Sequence, residues 1–243
     1  MRLIFIRHAD PDYFKDGLTE KGKIEAAALG EYVRNEKIDK VYCSPLGRAK
    51  ETADISLDGT GKTYEIKDWL REFDYRIDAT RLDPANPNHL IWDFKPSFWT
   101  NVKEFYDVDE WYNYPEMRKG NIKKHYDDVC SAFDELLKEY GYERNGNAYK
   151  AIESNRKTIV FYCHFGLETI LLSHIVGVSP LVLLHNFASL PSGVTELVTE
   201  EREQGVASFR CLRFGDLSHL YKQGISPSFS ARFCETYDSD ERH

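Results

Sequence analysis

Arg7 and His8 follow the apolar run Leu3-Ile4-Phe5-Ile6 without a break, Ser44 and Arg48 follow Val41-Tyr42-Cys43, and His164 directly follows the apolar run ending at Cys163. Glu72 lies just beyond a third short stretch. Two guanidinium forks match the tetrahedral oxygens of a phosphate group and can bind them bidentately. An imidazole set among such positive charges stays neutral and is a competent nucleophile at neutral pH. A carboxyl group beside it can protonate a leaving oxygen. Together these residue types spell phosphoryl transfer through a phosphohistidine, with no metal and no other cofactor required. Singly, each has an ordinary explanation: an arginine or glutamate is most often a solvated surface charge, and a histidine after a strand is most often a hydrogen-bonded structural residue. The joint placement carries the argument, because cations crowded at several strand ends repel one another unless an anion joins them.

Bringing these residues together requires a parallel sheet, whose strand carboxyl ends line one crevice. The pattern along the chain predicts one. Residues 3–6 read as a buried strand and 19–37 as a helix, with Thr19 as N-cap and Ile24, Ala27, Ala28 and Val33 on its apolar face. Residues 41–43 read as a second strand, followed by a helix start with Ser44 as N-cap and Pro45 at the first helical position. A third strand is expected at 63–66, and 122–140 reads as a long helix closed by Gly141. The clearest strand, 158–163, leads into a helix over about 166–176 ended by Gly177. Residues 194–199 and 206–213 predict a hairpin at the sheet edge. Strands alternating with helices give the α/β class, a mostly parallel sheet with helices on both faces.

Residues 79–118 break this rhythm. Nine aromatics fall there: Trp92, Phe94, Phe98, Trp99, Phe105, Tyr106, Trp111, Tyr112 and Tyr114. The stretch reads as an inserted lid or cap segment. Its aromatics are expected to build a small core of their own, to wall a ligand pocket, or to do both.

At roughly 100 to 200 residues per domain, the 243 residues fit a single α/β domain over 1–243 with that insertion. The 40 acidic and 32 basic residues leave a net charge of −8, which argues against nucleic acid or an anionic membrane as partner. A small phosphorylated substrate needs only a local cation cluster and stays open. Cys43, Cys130, Cys163, Cys211 and Cys234 are scattered, odd in number and free of any C-x-x-C pair, so a reduced compartment is expected rather than disulfides or zinc. No apolar run approaches the ~20 residues of a bilayer span, and Arg7-His8 interrupts the opening run before a signal-peptide core forms. The expected location is cytoplasmic.

Four motifs raise a resemblance: Leu3-Ile4-Phe5-Ile6-Arg7-His8-Ala9, Leu18-Thr19-Glu20-Lys21-Gly22, Ser44-Pro45-Leu46-Gly47-Arg48-Ala49-Lys50-Glu51-Thr52-Ala53, and Cys163-His164-Phe165-Gly166. In order, spacing and strand context the sequence resembles the histidine phosphatase superfamily, also called phosphoglycerate mutase-like, over roughly residues 1–75 and 155–200. The resemblance implies a three-layer α/β/α sandwich. It implies His8 as nucleophile, Arg7, Arg48 and His164 as the phosphate pocket with His164 also catalytic, and Glu72 as the acid, with Glu65, Asp68 and Asp74 as neighbouring alternatives. The activity implied is that of a histidine acid-type phosphatase, a phosphoric monoester hydrolase. Four positions depart from the family pattern. Ala9 replaces the usual Gly, and Phe165 stands where Gly often follows the second His, as an apolar wall. Pro11 and Phe14 stand where the family's mutases carry Ser and Asn, which favours phosphatase over mutase.

Three functions compete on this reading. The first is a metal-independent phosphomonoester hydrolase acting on a small phosphorylated metabolite. The second is a non-catalytic phospholigand or phosphoprotein binding module, whose signature would be a lost nucleophile or acid. The third is a phosphoglycerate mutase. His185, His219 and Arg81 read as structural or surface residues rather than pocket residues.

Overall fold

The computed structural model describes residues 1–228 and 236–237. Strand β1 (Arg2–Arg7) runs into a small hairpin, β2 (Pro11–Asp12) and β3 (Gly17–Leu18), then helix α1 (Glu20–Arg34), strand β4 (Lys40–Cys43), helix α2 (Gly47–Leu57) and the short β5 (Glu65–Ile66). The middle holds β6 (Arg76–Asp78), β7 (Asn88–Leu90), α3 (Pro96–Trp99), α4 (Pro115–Lys119) and the long α5 (Ile122–Glu139). Then follow β8 (Tyr142–Asn145), β9 (Ala148–Ala151), β10 (Thr158–Cys163), α6 (Phe165–Val176), α7 (Pro180–Asn186), β11 (Val194–Glu203), β12 (Val206–Asp216) and α8 (Ser218–Tyr221).

One sheet takes the strand order β5-β4-β10-β1-β11-β12-β9-β8. Its parallel part, β5-β4-β10-β1, is the expected one; β11, β12, β9 and β8 extend it with antiparallel pairings. The central strands are apolar on both sides, as strands covered by helices must be. Leu3, Phe5, Ile159 and Phe161 pack with Phe133 and Leu137 of α5 and Leu167 and Leu171 of α6. Ile4, Ile6, Val160 and Tyr162 face the other way onto Leu29 and Val33 of α1 and Ala49 and Ala53 of α2. The result is the α/β/α sandwich. The parallel strands deliver their carboxyl ends to one crevice.

Several local expectations are corrected by tertiary contacts. Thr19 does cap α1, accepting from Gly22 N–H at 3.0 Å, but the helix ends at Arg34 and turns Ile24 and Ala27 outward. Glu25 is buried instead, because its carboxylate accepts from the Asp10 and Ser228 amides, each at 2.9 Å. Helix α2 starts at Gly47, not at Pro45, and has no side-chain cap from its own N-cap residue, Leu46. Its first amide donates to Asp16 Oδ2 at 2.6 Å, while Ser44 is engaged elsewhere. The third strand shrinks to Glu65–Ile66. Gly141 and Gly177 lie just past α5 and α6 with φ of +89° and +71°, the left-handed conformation that suits glycine there. The β11–β12 hairpin is not at the edge, since β9 pairs with β12 and β8 lies beyond it.

The aromatic segment has no core of its own. Trp92, Phe94, Trp99, Phe105 and Trp111 are buried in the same contiguous cluster as the α5–α6 face of the sheet. Ser179 fastens it by donating to the Phe105 carbonyl at 2.6 Å. Cys43, Cys130, Cys163 and Cys211 are free thiols; Cys234 lies outside the described residues. Among the described residues no helix is long and apolar enough to cross a membrane.

Candidate active site

His8 sits one residue past β1, and its backbone is clamped from both sides. Its N–H donates to the Cys163 carbonyl at 3.0 Å and its carbonyl accepts from Ser192 N–H at 3.1 Å. The buried ring directs Nδ1 at the Ala9 carbonyl, 2.8 Å away. Only a proton on Nδ1 makes that contact attractive, so the lone pair is left on Nε2. Burial, then the charges of Arg7 and Arg48, hold the His8 pKa well below the ordinary histidine value. The nucleophilic form is therefore the resting one. Ala9 fits because φ at this position is not positive; its methyl is buried beside Leu18 and Ala26.

His164 ends the turn from β10 and forms the N-cap of α6. Its ring centroid is 5.1 Å from that of His8. Nε2 is 2.7 Å from Ser44 Oγ, which also accepts from Leu46 N–H at 3.2 Å, just short of α2. Burial is again the first cause of a pKa far below normal, followed by His8, Arg48 and Arg7.

Arg7 hydrogen-bonds the Ser189 carbonyl through one guanidinium nitrogen and lies 5.7 Å from the centre of the Phe165 ring. Phe165 is thus the apolar wall expected from the sequence. Arg48, in the first turn of α2, pairs with Asp16 Oδ1 at 2.7 Å. Three buried nitrogens, Arg7 Nε, Arg48 Nε and His164 Nδ1, have no hydrogen-bond partner. Leaving a buried polar group unsatisfied costs about 1–3 kcal/mol, and native proteins rarely tolerate several such groups together without a purpose. A tetrahedral oxyanion above His8 would satisfy them.

Glu72 reaches the same place from the loop after β5. Its Oε1 accepts from Phe73 N–H at 2.8 Å and from Leu167 N–H, in the first turn of α6, at 3.0 Å. Gly166 makes the approach feasible: a Cβ there would lie 2.7 Å from Glu72 Oε1 and 2.6 Å from Trp92 Cζ3. Burial raises the Glu72 pKa above the usual carboxylate range, while Arg7, the two amides and Arg48 pull the other way. A carboxyl whose protonated form is favoured in this way is suited to donate a proton. Of the alternatives, Glu65 is tied to Lys40 and Lys67, each at 2.8 Å, and Asp68 and Asp74 are exposed.

Three contributors escaped the sequence reading: Asp16 and Tyr13 come from the β2–β3 hairpin, and Glu168 from the first turn of α6. Glu168 is buried, accepts from the Thr195 hydroxyl and is pushed up to about 7 by burial. A lone carboxylate inside the apolar run of α6 was its available signal. His185, His219 and Arg81 take structural roles. His185 stacks on Trp99 at 4.9 Å, His219 contacts Ser192 Oγ at 3.1 Å, and Arg81 pairs with Glu116. Among the described residues no three His, Cys, Asp or Glu side chains are grouped as metal ligands would be.

Fold and site together define an α/β protein with a buried imidazole at a strand end, beside a second histidine and two arginines. A family model for the histidine phosphatase superfamily (branch 1) matches residues 3–211. The chain belongs to that superfamily. A probable phosphoglycerate mutase of Erwinia tasmaniensis is 34% identical over 76 residues, 31% of this chain and 35% of that one, so the match spans about a third of that relative's length. Phosphoserine phosphatase of Entamoeba histolytica, solved with 3-phosphoglyceric acid, superimposes with a TM-score of 0.59 at 17% identity, covering 90% of this chain and 98% of that one. The α-ribazole phosphatase of Shigella flexneri gives 0.53 at 18% identity over 89% and 97%. At these identities the likeness is one of fold.

Proposed function

We propose that the protein is a cytoplasmic, metal-independent phosphomonoester hydrolase that acts through a phosphohistidine at His8 on a small phosphorylated metabolite. The observation that carries this reading is the set of unpartnered buried nitrogens on Arg7, Arg48 and His164, gathered around a neutral imidazole whose Nε2 is free to attack. In the first step His8 Nε2 forms a bond to phosphorus as the ester P–O bond breaks, and Glu72 gives its proton to the departing alkoxide. Arg7, Arg48 and His164 stabilise the equatorial oxygens. In the second step Glu72, now a carboxylate, takes a proton from water as the water oxygen displaces His8, releasing inorganic phosphate. The phosphatases among the proteins of like fold support hydrolysis.

The local match to a probable phosphoglycerate mutase favours a second reading. Against it stand Pro11 and Phe14, which offer no side-chain hydrogen-bond donor where the family's mutases carry Ser and Asn.

The test is chemical. With a radiolabelled phosphomonoester, the quenched protein should carry an acid-labile, alkali-stable label, absent in His8→Ala, and turnover should survive a chelator. His8→Ala retaining near wild-type turnover would reject the assignment. Conversion of 3-phosphoglycerate to its isomer without net phosphate release would favour the mutase.

A further inference from the structure

The β2–β3 hairpin holds both arginines of the pocket. Asp16, in the left-handed conformation with φ of 49°, turns the loop so that its carboxylate meets Arg48 and the Gly47 amide. On the same loop the Tyr13 ring centre lies 5.3 Å from the Arg48 guanidinium carbon, and Tyr13 is near enough to Arg7 to favour its charged form. Tyr13 therefore spans the two cations that flank His8. Yet the residue is 63% exposed, so burial does not account for its position. A phenol oxygen beside a guanidinium accepts from it and still has its own proton to give. The two positions three and six residues after His8 are occupied by Pro11 and Phe14, neither of which can donate from its side chain.

We propose that Tyr13 is a substrate-contacting residue: its hydroxyl donates to a non-bridging oxygen of the phosphoryl group held between Arg7 and Arg48, while its ring covers Arg48. This rests on the reading of the pocket as a phosphoryl site. Tyr13 then joins Arg7, Arg48 and His164 around the three free oxygens of a monoester dianion.

Two variants separate the hydroxyl from the ring. Tyr13→Phe keeps the packing on Arg48 and removes only the donor; Tyr13→Ala removes both. Binding of inorganic phosphate is measured by calorimetry, and KM and kcat with a phosphomonoester. A hydrogen bond to a charged group corresponds to a loss of about tenfold or more. Tyr13→Phe should weaken phosphate binding by that factor and raise KM similarly, with a smaller effect on kcat and an unchanged melting temperature. Tyr13→Phe indistinguishable from wild type, with only Tyr13→Ala impaired, would reduce Tyr13 to a packing residue and overturn the proposal. Failure of the wild-type protein to bind phosphate at all would instead sink the pocket reading, and this proposal with it.

Discussion

At the scale of single residues, burial makes charge expensive for two histidines and one glutamate, while two arginines beside them favour the anion that the proposed function brings in. Burial and two guanidinium groups keep His8 and His164 neutral, whereas burial favours the protonated Glu72. On the proposed mechanism, the same surroundings suit His8 to attack and Glu72 to donate. If Glu72 is that acid, Glu72→Gln should slow an alkyl phosphate by ~10²–10⁴-fold in kcat and p-nitrophenyl phosphate far less, because p-nitrophenolate leaves almost unaided. Equal small losses on both esters would shift the role to another group and leave His8 untouched. Arg7, His8, Arg48 and His164 were legible because they come after apolar runs that had to be strands, whereas Glu72 follows the short, exposed β5 and was placed through the family resemblance. Tyr13 and Asp16 were not, since no period in the sequence says where a two-strand hairpin will fold back. Ser44 was read as the cap of α2, but the helix starts later, at Gly47, and Ser44 Oγ serves the Leu46 amide and His164 together.

At the scale of elements, the N-terminus of α6 is the joint on which the acid turns. His164 caps it, Leu167 N–H holds Glu72, and Gly166 leaves the gap that Glu72 and Trp92 fill. Gly166→Ala should push both away. Overpacking of this kind costs roughly 1–3 kcal/mol, and kcat on an alkyl phosphate should fall more than phosphate affinity, because the arginines do not move. Denaturant titration and the kcat against phosphate-affinity split check this; a variant with wild-type kcat would mean that Glu72 does not depend on that gap. The buried strands β1 and β10 and the helices α5 and α6 were readable as apolar runs with glycine stops. The β8–β9 hairpin was missed although its turn, Gly146-Asn147, is a hairpin signal, because Tyr142 and Tyr149 are its only buried side chains. Helix α1 shows the limit of apolar spacing: hydrogen bonds to Asp10 and Ser228 turn Glu25 inward in place of Ile24.

Over the whole molecule, the pocket is braced from both ends of the chain. The aromatic segment shares the core on the α5–α6 side. On the other side Glu25 of α1 joins Asp10, just past the nucleophile, to Ser228 near the end of the described residues. Burial pushes the Glu25 pKa up to about 7 from 4.5, with the Asp10 charge adding to the rise and the two amides opposing it. The sign follows from proton linkage: a folded pKa raised above the unfolded one gives stability that is complete below pH 4.5 and lost as pH rises through 7. Glutamine has no such dependence, but its amide nitrogen must face one of the two backbone N–H groups that the carboxyl accepts from, which costs the variant a constant amount at every pH. The stability difference between Glu25→Gln and wild type should therefore move in favour of the variant by about 2 kcal/mol between pH 5 and pH 8, read from urea midpoints at unchanged slope. A wild-type protein whose advantage or deficit against Glu25→Gln is the same at both pH values would mean that Glu25 is ionised in the fold, and that Asp10 and Ser228 are tied through a charged rather than a protonated carboxyl.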